Sequence, residues 1–363
     1  MAGQPRGGEV ACGFPTPLNG DAMTLQPLDD TAIYDIYISS RASACLAVGV
    51  RLGLFAGLEE RPAHASEVAE RFGVSARGAD ALLVSLHALR LLVRDERGYR
   101  PTPEAVEYLV PGRPKSLCGL IELEFDAFLS PERLLRSVQS GEGAVYDGDE
   151  VWGAHDADPE RAARFTKAMH SISARPAAAL AQSIDFSNSR CVLEVGGGSG
   201  VYLMELLRSH RHLRAVLMDL PEVCKQTGLR IEQVHAESPE VGFLDRLDLA
   251  PGDMFRDQLP GSPDVILFSQ ILHDWSLEQG RELLASAFDA LPSGGRVLVH
   301  EKLLNDERSG PPANALVTLD MLFWTEGQQL TFGEVRTMMS DVGFREPRLQ
   351  PTVGYWSVVE AWK

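Results

Sequence analysis

The chain has 363 residues, 44% hydrophobic and 23% charged, and its 51 acidic against 34 basic residues leave a net charge of −17. Such a composition excludes a mostly disordered chain, a collagen or a small disulfide scaffold, and the length predicts two or three domains. The acidic balance repels polyanions and argues against wholesale nucleic-acid binding. The cysteines (Cys12, Cys45, Cys118, Cys191 and Cys224) are odd in number and lack C-x-x-C spacing. They are expected as free thiols of a reducing compartment. MAGQPRGGEV contains no apolar signal region, so a cytoplasmic protein is expected. The longest apolar stretch, Ala44 to Leu58, contains Arg51 and falls short of the roughly 20 residues of a membrane span. It predicts a buried helix and no membrane partner.

Residues 1–22 are rich in Gly and Pro and are expected to form a disordered tail. Helical spacing runs from Thr31 to Glu60. Helices are then predicted over Ala65–Phe72 and Ala79–Leu92, followed by VRDERGYRPT, with a hairpin turn from Asp95 to Gly98. Helix, turn, helix and hairpin describe a winged-helix-like domain over 23–113. Such a domain binds DNA or serves dimerisation. From Arg61 to Arg113 there are eight Arg, no Lys and seven Asp or Glu, a net of +1, which offers few phosphate contacts and favours dimerisation. Residues 140–160 read as a surface connection and Arg161–Ile184 as a helix. From 191 onward CVLEV, AVLMDL, LDLAPGDMF, DVILFSQ and GRVLVHEKLL alternate with helical runs. That alternation predicts a Rossmann-like α/β domain over 114–363, its parallel sheet covered on both faces.

Leu193-Glu194-Val195-Gly196-Gly197-Gly198-Ser199-Gly200 lies between a strand and a helix. Glycines there let the backbone turn sharply and a ligand approach it; without a ligand the run is only a tight turn. Asp219 and Leu220 follow the next strand, and Asp219 can accept from both hydroxyls of a ribose. Asp253, within Gly252-Asp253-Met254-Phe255, can bind an exocyclic amine while Met254 and Phe255 enclose a purine. A dinucleotide site shares the acidic residue about 20 positions on. The spacing here, however, is G-x-G-x-G, and Glu194 would repel a pyrophosphate while attracting an ammonium. Adenosine joined to an amino acid fits, which points to S-adenosylmethionine as cofactor.

His273, in Ile271-Leu272-His273-Asp274-Trp275, is expected at the carboxyl end of the sheet, with Glu301 ending the neighbouring strand. Methyl transfer needs proximity and removal of a proton from the acceptor, for which a histidine held by a carboxylate is suited. A single histidine at a strand end can also be ordinary core. LEVGGGSG, MDLPEV, GDMF, ILHDW, GRVLVHE and DMLFWTEGQQLT together make the chain, from about Thr31 to its C-terminus, resemble small-molecule O-methyltransferases of the caffeic acid and acetylserotonin type. The resemblance implies a dimerisation domain over 23–113, a catalytic domain over 114–363, a homodimer, and His273 as base with Glu301 as its supporting acid. By position it sets Trp275 near adenine and Ser269 near the cofactor's amino-acid end. It sets Met169, Asp274 and Met321 in the acceptor pocket, with Phe165, Phe323 and Trp324 as neighbours.

Two positions depart from the family pattern. Glu194 stands where Asp is usual, and Gln329, in GQQLT, replaces a second supporting Glu. Gln cannot stabilise an imidazolium by charge. The reading from sequence is therefore methylation of a hydroxyl on a small aromatic or planar metabolite. One alternative is methylation at the β-carbon of an α-keto acid, assisted by a divalent metal on His273, Glu301 and Gln329 or Gln270. Another is a ligand-sensing regulator built on the winged helix.

Overall fold

The computed structural model describes residues 30–126, 129–143, 145 and 159–363. Residues 1–22, and most of the connection expected over 140–160, lie outside the described residues. The helical run from Thr31 divides into α1 (Asp30–Arg51) and α2 (Leu54–Glu60). The single buried helix expected over Ala44–Leu58 is therefore two, with Ala47, Val50, Leu54, Phe55 and Leu58 buried. No single described helix is long and apolar enough to cross a membrane; α1 and α2 pass that test only together and are bent by 59°.

Next come α3 (Ala65–Phe72), α4 (Ala76–Ala88), β1 (Leu92–Asp95), β2 (Gly98–Pro101) and α5 (Pro103–Leu109). Ser75 caps α4 by accepting from the Gly78 N–H, so that helix starts three residues before Ala79. It also ends at Ala88 rather than Leu92, because Leu92 pairs with Pro101 in the hairpin. Asp95 faces Gly98 at the turn, as the spacing predicts. These elements share one core of Val50, Leu54, Phe55, Val68, Leu83, Leu86, Leu92 and Tyr99.

After α6 (Cys118–Glu122), α7 (Pro131–Ser140) and α8 (Pro159–Ser183) the chain enters the larger sheet. In chain order follow β3 (Cys191–Val195), α9 (Val201–Ser209), β4 (Arg214–Asp219), α10 (Pro221–Glu237), β5 (Leu247–Pro251), β6 (Val265–Ser269), α11 (Leu277–Ala290) and β7 (Arg296–Glu301). The last elements are α12 (Pro312–Trp324), α13 (Phe332–Asp341), β8 (Arg345–Pro351) and β9 (Ser357–Trp362). The strand order is β5-β4-β3-β6-β7-β9-β8. β3 to β7 are parallel, as the buried runs CVLEV, VILFS and RVLVHE predict. β9 and β8 are antiparallel, which makes the sheet mixed rather than wholly parallel. β8 escapes a hydrophobic pattern because it is an exposed edge, REPRLQP, with charges and prolines that deter further pairing.

Side chains of α8, α9 and α10 cover one face of the sheet, and those of α11 and α13 cover the other. Strand order reverses between β3 and β6, so the loops after those two strands flank a crevice at the carboxyl end of the sheet. LDLAPGDMF leaves the strand at Pro251, which frees Gly252–Phe255 to reach that crevice.

Candidate active site

The crevice opens into a cavity of about 1230 Å³. That exceeds the ~300–1,000 Å³ of an ordinary ligand pocket and leaves room for two molecules side by side. On its β3 side the glycine loop forms the wall. Gly196 and Gly198 have φ of +69° and +52°, and a Cβ at Gly196 would run into Ile271 Cδ1. A Cβ at Gly198 would meet no protein atom within 4 Å, so bare backbone borders open space there. The Gly198 and Leu220 N–H groups donate to Asp219 Oδ2 and Oδ1, each at 2.8 Å. Burial pushes Asp219 up to about 6 against the pull of those donors. Each oxygen retains a lone pair for a ligand hydroxyl.

Leu220, Asp253, Met254, Ser269 and Trp275 also line this half. Asp253 Oδ1 accepts from the Phe255 N–H at 2.9 Å, and the Phe255 and Trp275 rings meet edge to face with centroids 4.6 Å apart. Flat apolar walls, an anchored carboxylate and bare loop backbone suit an adenosine carrying an amino-acid tail. The residues present therefore fit S-adenosylmethionine.

Two of the expected cofactor residues do not reach the cavity. Gly200 is the cap of α9, its N–H donating to the Gly197 carbonyl. Glu194 is fully buried and accepts from Ser269 Oγ at 2.7 Å. Alternation along β3 sends it to the sheet face that α9 covers, opposite Leu193 and Val195, which corrects the expectation that it confronts the ligand's ammonium. Burial also pushes its carboxyl up to about 8, so it is largely neutral near pH 7.

His273 lies in the short turn Leu272–Asp274 after β6 and lines the cavity at 5% exposure. Its Nδ1 is 2.7 Å from Glu301 Oε2, an ion-pair contact, and among the described residues neither atom has a hydrogen-bond partner elsewhere. Glu301 ends β7, and its Oε1 accepts from the Ile271 N–H at 3.1 Å. An acceptor on Nδ1 places the neutral ring's proton there and leaves Nε2 free to take another. Burial opposes protonation of His273, but the charges of Glu301 and Asp274 outweigh it and raise its pKa. Asp274 lies 3.6 Å from Nε2, and burial pushes its carboxyl up to about 7.

Phe165, Met169, Asp274, Met321 and Trp324 line the other half, with the Phe165 and Trp324 rings 5.5 Å apart. Phe323 does not: at 1% exposure it is core, and the helical turn points it away from the face that carries Met321 and Trp324. Gln329 is also fully buried and off the cavity wall. Its amide nitrogen donates to the Lys302 carbonyl, and among the described residues its Oε1 has no hydrogen-bond partner. The residues named for a metal are each engaged by a different protein group. Glu301 faces His273 Nδ1, the Gln329 amide nitrogen donates to the Lys302 carbonyl, and the Gln270 amide donates to Ser173 Oγ at 2.8 Å. No group of three His, Cys, Asp or Glu arranged to hold a metal occurs among the described residues.

Lys302 and Asp320 are lining residues that escape the sequence reading, and Gln270 is named there only as a possible metal ligand. Gln270 has φ of +55°, a strained conformation that turns the chain from β6 towards His273. Lys302 directly follows Glu301, and Asp320 shares the helical stripe Val317, Asp320, Met321, Trp324. That stripe was available from spacing. Burial lowers the Lys302 pKa and pushes Asp320 up to about 6.

An O-methyltransferase domain model matches residues 133–345, and an O-methyltransferase dimerisation domain model matches residues 34–111. The chain is 37% identical over 322 residues to 3-hydroxy-5-methyl-1-naphthoate 3-O-methyltransferase of Streptomyces sahachiroi, covering 88% of this chain and 90% of the relative. It is 30% identical over 349 residues to the N,N-dimethyltransferase OxyT of Streptomyces rimosus, covering 93% and 99%. Human N-acetylserotonin methyltransferase, solved in complex with SAM, superposes with a TM-score of 0.81 at 25% identity, covering 94% of this chain and 99% of that one. Fold, cavity and both family matches converge: the chain belongs to the S-adenosylmethionine-dependent O-methyltransferase family with an N-terminal dimerisation domain.

Proposed function

We propose that the enzyme methylates a hydroxyl group of a small, flat aromatic acceptor, with His273 Nε2 as the general base. The observation that carries this reading is the 2.7 Å contact of His273 Nδ1 with Glu301, which leaves Nε2 on the cavity wall. Bound S-adenosylmethionine supplies an electrophilic methyl group on its sulfonium. Asp219 and Leu220 would hold the ribose side, Asp253, Met254 and Trp275 the adenine side, and Ser269 the amino-acid end. Phe165, Met169, Met321 and Trp324 would sandwich the acceptor and exclude water. Glu301 fixes the histidine tautomer and steadies the imidazolium formed when Nε2 takes the hydroxyl proton. The relative named a naphthoate 3-O-methyltransferase supports a planar phenolic acceptor.

Metal-assisted methylation of an α-keto acid has less support, since Glu301 is paired to His273 and the Gln329 amide is engaged by the Lys302 carbonyl. The two readings separate on one experiment. Protein dialysed exhaustively against EDTA is assayed on a hydroxynaphthoate and on an α-keto acid. Full activity on the phenol is expected, and loss of activity restored by divalent ions would overturn the reading. His273→Ala should lower turnover by about 10²–10⁴-fold. The raised pKa of His273 fixes the sign of its pH dependence: kcat/KM should fall as pH drops through a value above 6.5. A kcat/KM that does not fall on acidification would remove His273 as the base.

A further inference from the structure

His170, on α8, lies beneath the glycine loop and touches two side chains. Its Nδ1 is 3.0 Å from Ser199 Oγ, and its Nε2 is 2.7 Å from Arg230 Nη2 on α10. Arginine stays protonated and can only donate, so Nε2 must be the acceptor. The proton of the neutral ring is therefore on Nδ1, and Nδ1–H donates to Ser199 Oγ. Burial, with Arg230 adding to it, lowers His170 to about 4, so the ring is neutral at any working pH. A hydroxyl that accepts one bond still has its own proton to place. Ser199 is 5% exposed and lines the cavity, and among the described residues His170 is the only partner of its Oγ. The Ser199 O–H is thus left to donate into the cavity. Behind it, Arg230 is half-buried, and among the described residues its Nε has no hydrogen-bond partner and no carboxylate forms an ion pair with it.

We propose that Arg230, His170 and Ser199 form a relay that presents the Ser199 O–H to the carboxylate of S-adenosylmethionine. The inference rests on the donor-site reading above. The free proton demands an acceptor, and at the amino-acid end of that ligand the ammonium offers none while the carboxylate does. Ser199 adjoins Gly198, whose N–H is held by Asp219, so the relay and the ribose acceptor flank the same stretch of loop. His170 and Arg230 are positioning residues; Ser199 makes the contact. Neither His170 nor Arg230 is marked by any motif. The tautomer argument needs both distances, which only the packing of α8 against the loop and α10 supplies.

The test is calorimetric binding of S-adenosylmethionine and of decarboxylated S-adenosylmethionine, which lacks only the carboxylate. Wild type should prefer the former. Ser199→Ala, His170→Leu and Arg230→Met should each weaken it about tenfold or more, the size of one hydrogen bond to a charged group. Affinity for the decarboxylated ligand should stay within about twofold, which also reports that each variant folds. His170→Gln, whose amide can accept from Arg230 and donate to Ser199, should retain most of the affinity. Equal losses for both ligands would reduce the trio to loop support and overturn the proposal, as would a wild type indifferent to the carboxylate. A wild type that binds neither ligand would instead overturn the donor-site reading beneath it.

Discussion

Asp219 carries two functions on one carboxylate, since it ties down the Gly198 and Leu220 amides and faces the cavity. Asp219→Ala should weaken S-adenosylmethionine binding by about 1.5–3 kcal/mol, the range for hydrogen bonds to a charged group. Unchanged affinity by calorimetry would remove Asp219 from the site. Because burial lifts its pKa to about 6, the carboxylate is lost earlier than usual on acidification. Affinity should therefore fall as pH drops through about 6 and be level above it. Gln329 illustrates the opposite case. Read from sequence, Gln329→Glu restores a second carboxylate beside the imidazolium. In the fold its amide donates to the Lys302 carbonyl from a fully buried site. A Glu there loses that donor and opposes a carboxylate to a carbonyl oxygen, so the variant should be destabilised by about 1–3 kcal/mol. A melting temperature equal to or above wild type would contradict this.

At the scale of elements, what orients His273 is the turn after β6 and the strand end beside it. Gln270 bends the chain, Glu301 holds Ile271 and His273, and Gly327 lies against the other side of the turn. A Cβ at Gly327 would collide with the His273 carbonyl oxygen and the backbone of Asp274 and Trp275. Gly327→Ala should push that turn outward, costing about 1–3 kcal/mol of stability and a larger share of turnover than of cofactor affinity. Wild-type kinetics in that variant would show that the turn can move without cost to the base. The strands of this region were legible because each is a buried apolar run with a chemically marked residue at or next to its end: Glu194, Asp219, Ser269, Glu301. The burial of Glu194 was not, since alternation decides which face a residue takes but not which helix covers that face. β8 and β9 were missed for a related reason: one is an exposed edge and neither carries a motif.

Across the whole molecule, an apolar stripe stands out on α1, where Ile33, Tyr34, Ile36 and Tyr37 are each 59–66% exposed. Contiguous exposed apolar surface of that kind marks an interaction site, and the dimerisation-domain match covers it from Tyr34 onward. A homodimer with a large hydrophobic interface is expected in solution. Ile36→Asp combined with Tyr37→Glu should yield monomers by light scattering at micromolar concentration. A monomeric mass for the unaltered protein would refute the expectation.

Sequence by itself determined the two-part organisation, the parallel portion of the sheet, the glycine loop and the pairing of His273 with Glu301. These are properties of local pattern: periodicity sets the element, and strand ends in an open α/β sheet collect on one edge. Tertiary structure decided which side chains face the cavity. It took Glu194, Phe323 and Gln329 out of it, brought Lys302 and Asp320 in, and fixed the tautomer of His170. Facing depends on how helices distant in the chain pack over a strand end, and a single sequence carries no measure of that distance.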